Sequence, residues 1–178
     1  MKKGGKGGGR TKTGLKFECR VSLEEVIKSL PGYSVIDGEV YFQGPKVAGL
    51  YPKYKLYKKL LEPAGIDYSK IISKKLLPDD AILLLKDKTL FIIEIKFQEV
   101  PGSVDEKLQT CDFKNRQYKK LFKPLGIEVR YVYVLNDWFK KREYRDVLKY
   151  VKEVGCYYFY YEIPFEFLGL PKPKGVLR

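Results

Sequence analysis

Glu94 and Lys96 stand two residues apart inside an otherwise apolar run, Thr89 to Phe97, and Asp79 follows Pro78 at the head of the preceding apolar run. In an extended strand, alternate side chains share a face, so Ile92, Glu94, Lys96 and Gln98 point one way and Phe91, Ile93, Ile95 and Phe97 the other. A carboxylate and an ammonium in such surroundings are costly unless they have partners. The turn at Asp87-Lys88 lies midway between Asp79 and Glu94, so a hairpin would set the two carboxylates side by side. Two converging carboxylates repel, and a divalent cation removes that repulsion. Mg²⁺ suits such a pair, because it binds through one or two carboxylates, keeps several waters and also takes phosphate oxygens. Read singly, an E-x-K tripeptide describes a half-exposed edge strand and Pro-Asp a turn; it is their order and spacing together that point to metal-dependent phosphodiester chemistry.

The rest of the composition narrows that chemistry. The 178 residues include 35 Lys and Arg against 22 Asp and Glu, a net charge of +13, and no histidine. Without histidine there is no Ser-His-Asp or Cys-His nucleophile system and no His-ligated zinc. The basic surplus favours a polyanion as partner, nucleic acid before an acidic membrane. Three widely spaced cysteines, Cys19, Cys111 and Cys156, form no C-x-x-C pattern and suit a reducing compartment. No apolar run reaches membrane-spanning length, and the basic start lacks the apolar stretch of a signal peptide. A cytoplasmic protein with no membrane partner is expected.

The elements that must position these residues are read from periodicity and punctuation. Residues 1–14, MKKGGKGGGRTKTG, form a basic Gly/Lys arm, and residues 15–178 a single domain. Apolar residues at three- and four-residue intervals from Leu15 to Leu30 predict a first helix closed by Pro31-Gly32. Tyr33 to Gln43 predicts a hairpin about Asp37-Gly38. Lysines from Lys46 to Lys75, interleaved with Tyr51, Tyr54, Tyr57 and Tyr68, suit phosphate contact and base stacking, or equally a helix whose tyrosines face the core. Strands are predicted over Leu76–Lys86, Thr89–Gln98, Ile127–Leu135 and Cys156–Ile163. A helix opened by a Ser103–Glu106 capping box carries the stripe Val104, Leu108, Cys111, Tyr118 and Phe122, and a further helix runs from about Lys141 to Val154. Strands alternating with helices predict an α/β domain with a mixed central sheet flanked by helices.

Pro78-Asp79 with Glu94-Ile95-Lys96 resembles the signature of the PD-(D/E)XK nuclease superfamily, and the wider stretches GGRTKTGLKFE, LLPDDAILL and FIIEIKFQEVPGSVDEKLQTCDFKNRQYKKLF resemble a type II restriction endonuclease. The resemblance implies a restriction-endonuclease-like core and a site-specific, Mg²⁺-dependent deoxyribonuclease, with Mn²⁺ able to substitute. It implies Asp79, Glu94 and the Ile95 carbonyl as metal ligands, and Lys96 as the group that orients or helps deprotonate the attacking water and stabilises the phosphate. Asp79 is preferred over Asp80 because the motif's aspartate follows the proline. Glu18 resembles an additional acidic residue near the metal, or is a solvated helix carboxylate. Gln98 would orient water or phosphate. Lys53, Lys55, Lys58, Lys59, Lys107 and Gln109 are the candidate DNA contacts. Double-stranded DNA is the expected partner, cut by a homodimer. The competing expectations are a structure-specific nuclease on the same core, such as a Holliday-junction resolvase or repair nuclease, and a nucleic-acid-binding protein without catalysis.

Overall fold

The computed structural model describes residues 14–17, 21–100 and 104–173. In chain order the elements are β1 (Gly14–Lys16), α1 (Leu23–Lys28), β2 (Tyr33–Ile36), β3 (Glu39–Phe42), β4 (Lys46–Leu50), β5 (Asp80–Leu84), β6 (Thr89–Lys96), α2 (Val104–Lys107), α3 (Cys111–Phe122), β7 (Glu128–Leu135), α4 (Arg145–Glu153), β8 (Tyr157–Tyr160), β9 (Glu162–Pro164) and α5 (Phe165–Leu168). A π-helical turn spans Leu56–Leu61, and short 3-10 turns bridge several of the helices and strands.

Strands β2 to β8 form one seven-stranded sheet in sequence order. From β2 to β6 successive strands run antiparallel, whereas β7 and β8 are parallel to β6. Parallel neighbours need crossover connections, and α2–α3 and α4 supply them. The architecture is therefore α/β, with a mixed central sheet flanked by helices. The expected hairpin forms with a two-residue turn in which Asp37 (φ 50°) and Gly38 (φ 83°) are both left-handed. Helices α3 and α4 pack on one face of the sheet, against Leu90, Ile92, Tyr131 and Tyr133. On the other face Phe91, Ile93, Val132 and Val134 meet α1, α5 and the small β1–β9 sheet. Among the described residues no helix is long and apolar enough to cross a membrane.

Four expectations are corrected. The helix predicted from Leu15 to Leu30 is a strand at Gly14–Lys16 and a helix only over Leu23–Lys28. Ser22 accepts the Glu25 backbone N–H while the Glu25 side chain accepts the Ser22 N–H, so a capping box starts the helix there. Gly14 to Lys16 instead pair with β9, and a Cβ at Gly14 would fall 2.2 Å from the Ile163 carbonyl oxygen, so the pairing requires glycine. The strand expected over Leu76–Lys86 begins only at Asp80, because Pro78 lacks an N–H and the Tyr57 hydroxyl bonds both the N–H and C=O of Leu76. The strand expected over Cys156–Ile163 breaks at Tyr161 (φ 59°), and its end leaves the large sheet for β1. Helix α4 spans Arg145–Glu153, preceded by 3-10 turns. The arm, Gly14 apart, and the Ser103 cap lie outside the described residues.

Candidate active site at the end of the β5–β6 hairpin

The antiparallel pairing of Asp80 with Ile93 carries Asp79 alongside Glu94, one rung further on. This is the point just before β5 begins. The Ile95 N–H is taken there by the Asp79 side chain, which accepts it at Oδ2 over 2.9 Å. The Lys96 ammonium donates to the same Asp79 oxygen at 3.1 Å, to Glu94 Oε2 at 2.8 Å and to the Ile95 carbonyl at 3.3 Å. Four residues expected to act together, Asp79, Glu94, Ile95 and Lys96, thus meet around one cation.

Glu94 is 5% exposed and Asp79 considerably more open, so the cluster has a dry side and a wet side. The dry side is aromatic: Tyr118 of α3 and Tyr131 of β7 have their hydroxyl pKa values raised by burial first and by the Glu94 charge second. Tyr133 donates to the Lys107 carbonyl at 3.1 Å and so ties the start of the α2–α3 crossover to β7. Burial pulls the Lys96 ammonium down, but Glu94 and Asp79 more than offset it, leaving its pKa above the ordinary lysine value. Lys96 is therefore a cation at neutral pH in this arrangement.

The wet side opens into a cleft of about 550 Å³ lined by Ser22, Glu24, Lys53, Lys55, Asp79 and Asp80, with Tyr54 at its rim. Asp80 takes no part in the cluster. It is buried and accepts the Leu23 backbone N–H at 3.1 Å, fastening α1 to β5. Strand alternation thus separates the two adjacent aspartates, one to the cluster and one to the fold.

The other expected residues divide. Lys53 and Lys55 line the cleft. Lys58 and Lys59 are exposed on the π-helical turn, and the Lys59 charge acts on Glu39 of β3. Lys107 is exposed at the end of α2, whereas Gln109 lines a separate cleft with Val147 and Tyr150. Gln98 is buried and donates its amide to the Val100 carbonyl at 2.7 Å, while its backbone exchanges hydrogen bonds with the Asn136 side chain. It braces the loop after β6, and no hydrogen bond joins it to the cluster among the described residues. Glu18 lies outside the described residues. Of the interleaved tyrosines, Tyr57 is core, Tyr51 and Tyr68 pack on the core, and Tyr54 is 57% exposed.

One residue of the site is absent from the sequence-based expectations. Lys114 of α3 brings its ammonium to 3.6 Å from Glu94 Oε1. Its signal was present: it falls three residues after Cys111 and four before Tyr118, inside the buried stripe of the helix, where an ordinary solvated lysine does not belong.

The donor set fits a hard divalent cation. Among the described residues no three Cys, Asp or Glu side chains are grouped to hold a metal. Mg²⁺, however, asks for only one or two carboxylates, and Asp79 Oδ2, Glu94 Oε2 and the Ile95 oxygen already converge on a positive charge. The chain matches no protein-family model, no curated protein and no solved structure.

Proposed function

We propose that this chain is a Mg²⁺-dependent endonuclease with a restriction-endonuclease-like PD-(D/E)XK core, hydrolysing phosphodiester bonds of double-stranded DNA at a specific sequence. The observation that carries the reading is the convergence of Asp79, Glu94 and the Ile95 carbonyl on the Lys96 ammonium, beside a cleft that also holds Lys53 and Lys55.

Asp79 and Glu94, with the Ile95 carbonyl, would hold the divalent ion. When bound, such an ion lowers the pKa of the attacking water and offsets charge on the leaving oxygen. Lys96, a cation beside both carboxylates, would orient the water and donate to a phosphate oxygen as charge gathers there. The aromatic wall beneath Glu94 excludes bulk water and so strengthens these interactions. The cleft lysines draw in the phosphate backbone without regard to sequence. No covalent enzyme intermediate is required, in keeping with a chain that has no histidine. Cutting both strands calls for two such sites, hence a homodimer.

The test is digestion of defined linear DNA and of four-way junctions, with Mg²⁺ or with EDTA, mapping fragment ends by sequencing. Discrete Mg²⁺-dependent ends on the linear DNA support the proposal. Cutting of junctions alone replaces it with a resolvase, and binding without any cutting replaces it with a non-catalytic nucleic-acid-binding protein.

A further inference from the structure

A second groove lies away from the cluster, between α4 and the edge strand β8. It measures about 500 Å³ and is lined by six basic residues, Lys140, Lys141, Arg142, Arg145, Lys149 and Lys152. Aromatic rings alternate with them. The Lys140 ammonium lies over Tyr160, Lys141 over Trp138 and Lys152 over Tyr158, at 5.0, 3.0 and 4.9 Å from the ring centroids. Lys140 and Lys149 are balanced by Asp137 and Glu153. Among the described residues Lys141, Arg142, Arg145 and Lys152 form no ion pair, and Glu143 and Asp146 of the same segment do not line the groove. Four unbalanced cations in one concavity repel each other and raise the local concentration of anions.

The position of this groove relates it to the cluster. Because β6, β7 and β8 are parallel, they end together, and Lys96, Leu135 and Tyr160 stand on one rung across the sheet. Two strand spacings separate Lys96 from Tyr160, about 10 Å, or roughly the axial rise of three base pairs of DNA. Strand β4 is parallel to β6 as well, so Lys53 and Lys55, just beyond its end, lie at the same edge on the other side of the cluster. Cleft, cluster and groove therefore follow one another along the same end of the sheet, over about 19 Å from β4 to β8.

We infer that the groove between α4 and β8 is a second DNA contact surface, holding the phosphate backbone on the opposite side of the Asp79–Glu94–Lys96 cluster from Lys53 and Lys55. The inference rests on the nuclease reading for the place of the scissile phosphate, but its own evidence is the groove. Ammonium groups laid against rings keep donors available to phosphate, and the rings offer faces for sugar and base.

Trp138, the sole tryptophan of the chain, reports on this groove because Lys141 stacks on it. The experiment titrates duplex DNA into the protein in EDTA, following Trp138 emission together with anisotropy of labelled DNA over a range of salt. It compares wild type with R142Q/R145Q/K152Q and with K119Q/K120Q/K123Q, whose lysines lie near the opposite end of the sheet, where β7 begins. Circular dichroism and melting check that each variant is folded.

Trp138 emission should change in step with anisotropy. In the groove variant the slope of log K against log salt should fall by about 2 to 3, with affinity at least about tenfold weaker. The control variant should stay within about twofold of wild type. An unchanged slope in the groove variant, an equal fall in both variants, or DNA binding that leaves Trp138 emission unmoved would each overturn the inference. Groove-dependent DNA binding without Mg²⁺-dependent cleavage removes the nuclease reading and leaves the groove; cleavage with groove-independent binding does the reverse.

Discussion

Asp80 Oδ2 accepts the backbone N–H of Leu23 at 3.1 Å, across 57 residues of sequence, and this one bond joins the start of α1 to the strand that carries the cluster. The neighbouring Asp79 points the other way, to Ile95 and Lys96. Two identical side chains in succession therefore have separate tasks, and their substitutions should separate as well.

Asp80 predicts a pH dependence of stability. Burial pushes its carboxyl up to about 6 from an ordinary 3.8, with the Leu23 N–H pulling against that rise and the Asp79 charge adding to it. A folded-state pKa above the unfolded one means a stabilising contribution that is complete below about pH 4 and is lost as pH rises to about 6. Asp80→Asn keeps an acceptor for Leu23 without the charge. Its stability relative to wild type should rise between pH 4 and 6 and level off above 7, by on the order of 2–3 kcal/mol. Urea unfolding across that range measures it, and a pH-independent difference would refute it.

For Asp79 and Glu94 the expected loss is in cleavage. Asp79→Ala and Glu94→Ala should each lower the Mg²⁺-dependent rate by at least about 100-fold while DNA affinity in EDTA is retained. Glu94→Ala should be the more disruptive to folding, since it leaves Lys96 and Lys114 facing each other over a buried wall. Single-turnover cleavage with anisotropy in parallel decides the point; undiminished cleavage in both variants would remove the assignment.

The lysine-rich segment should divide by position. Lys53→Gln with Lys55→Gln, in the cleft, should weaken DNA binding and lower the salt slope by about 2. Lys59→Gln should do much less, because Lys59 does not line the cleft. Tyr54→Ala should reduce affinity with little change in melting. Tyr57→Phe should instead cost about 1–3 kcal/mol of stability, since the Leu76 N–H and C=O both lose their partner. A stable Tyr57→Phe protein with weakened DNA binding would reverse these roles.

What could be read from sequence followed the range of the interactions. Asp79, Glu94 and Lys96 were legible because a hairpin is local: period-two alternation sets the face and the turn sets the register. The same locality exposed the Asp37-Gly38 turn. Leu15 to Leu30 misled because helical spacing continued through residues whose true partner is β9, nearly 150 positions away. The use of Tyr57 as core and Tyr54 as surface depended on Leu76, which lies beyond the lysine-rich helical turn itself. The α4–β8 groove was illegible for the same reason, since its cations and rings come from two stretches that meet only when β8 joins the sheet.

Lys96 predicts a competition with metal. Its ammonium occupies the oxygens of Asp79, Glu94 and Ile95 that would hold a divalent ion, so an entering ion must displace it. Lys96→Met leaves buried Glu94 with Lys114, at 3.6 Å, as its one ion-pair partner among the described residues, and should lower the melting temperature in EDTA, as breaking a buried ion pair does. The same variant should bind Mn²⁺ more tightly, because a competing charge is gone, and its melting temperature should rise further on Mn²⁺ addition than that of wild type. Cleavage should be lost nonetheless, since the ammonium that orients the attacking water is gone. Adding Glu94→Gln should abolish the Mn²⁺ shift. Thermal melts with and without Mn²⁺ measure all three proteins, and equal shifts in wild type and Lys96→Met would show that the ammonium and the metal do not share this site.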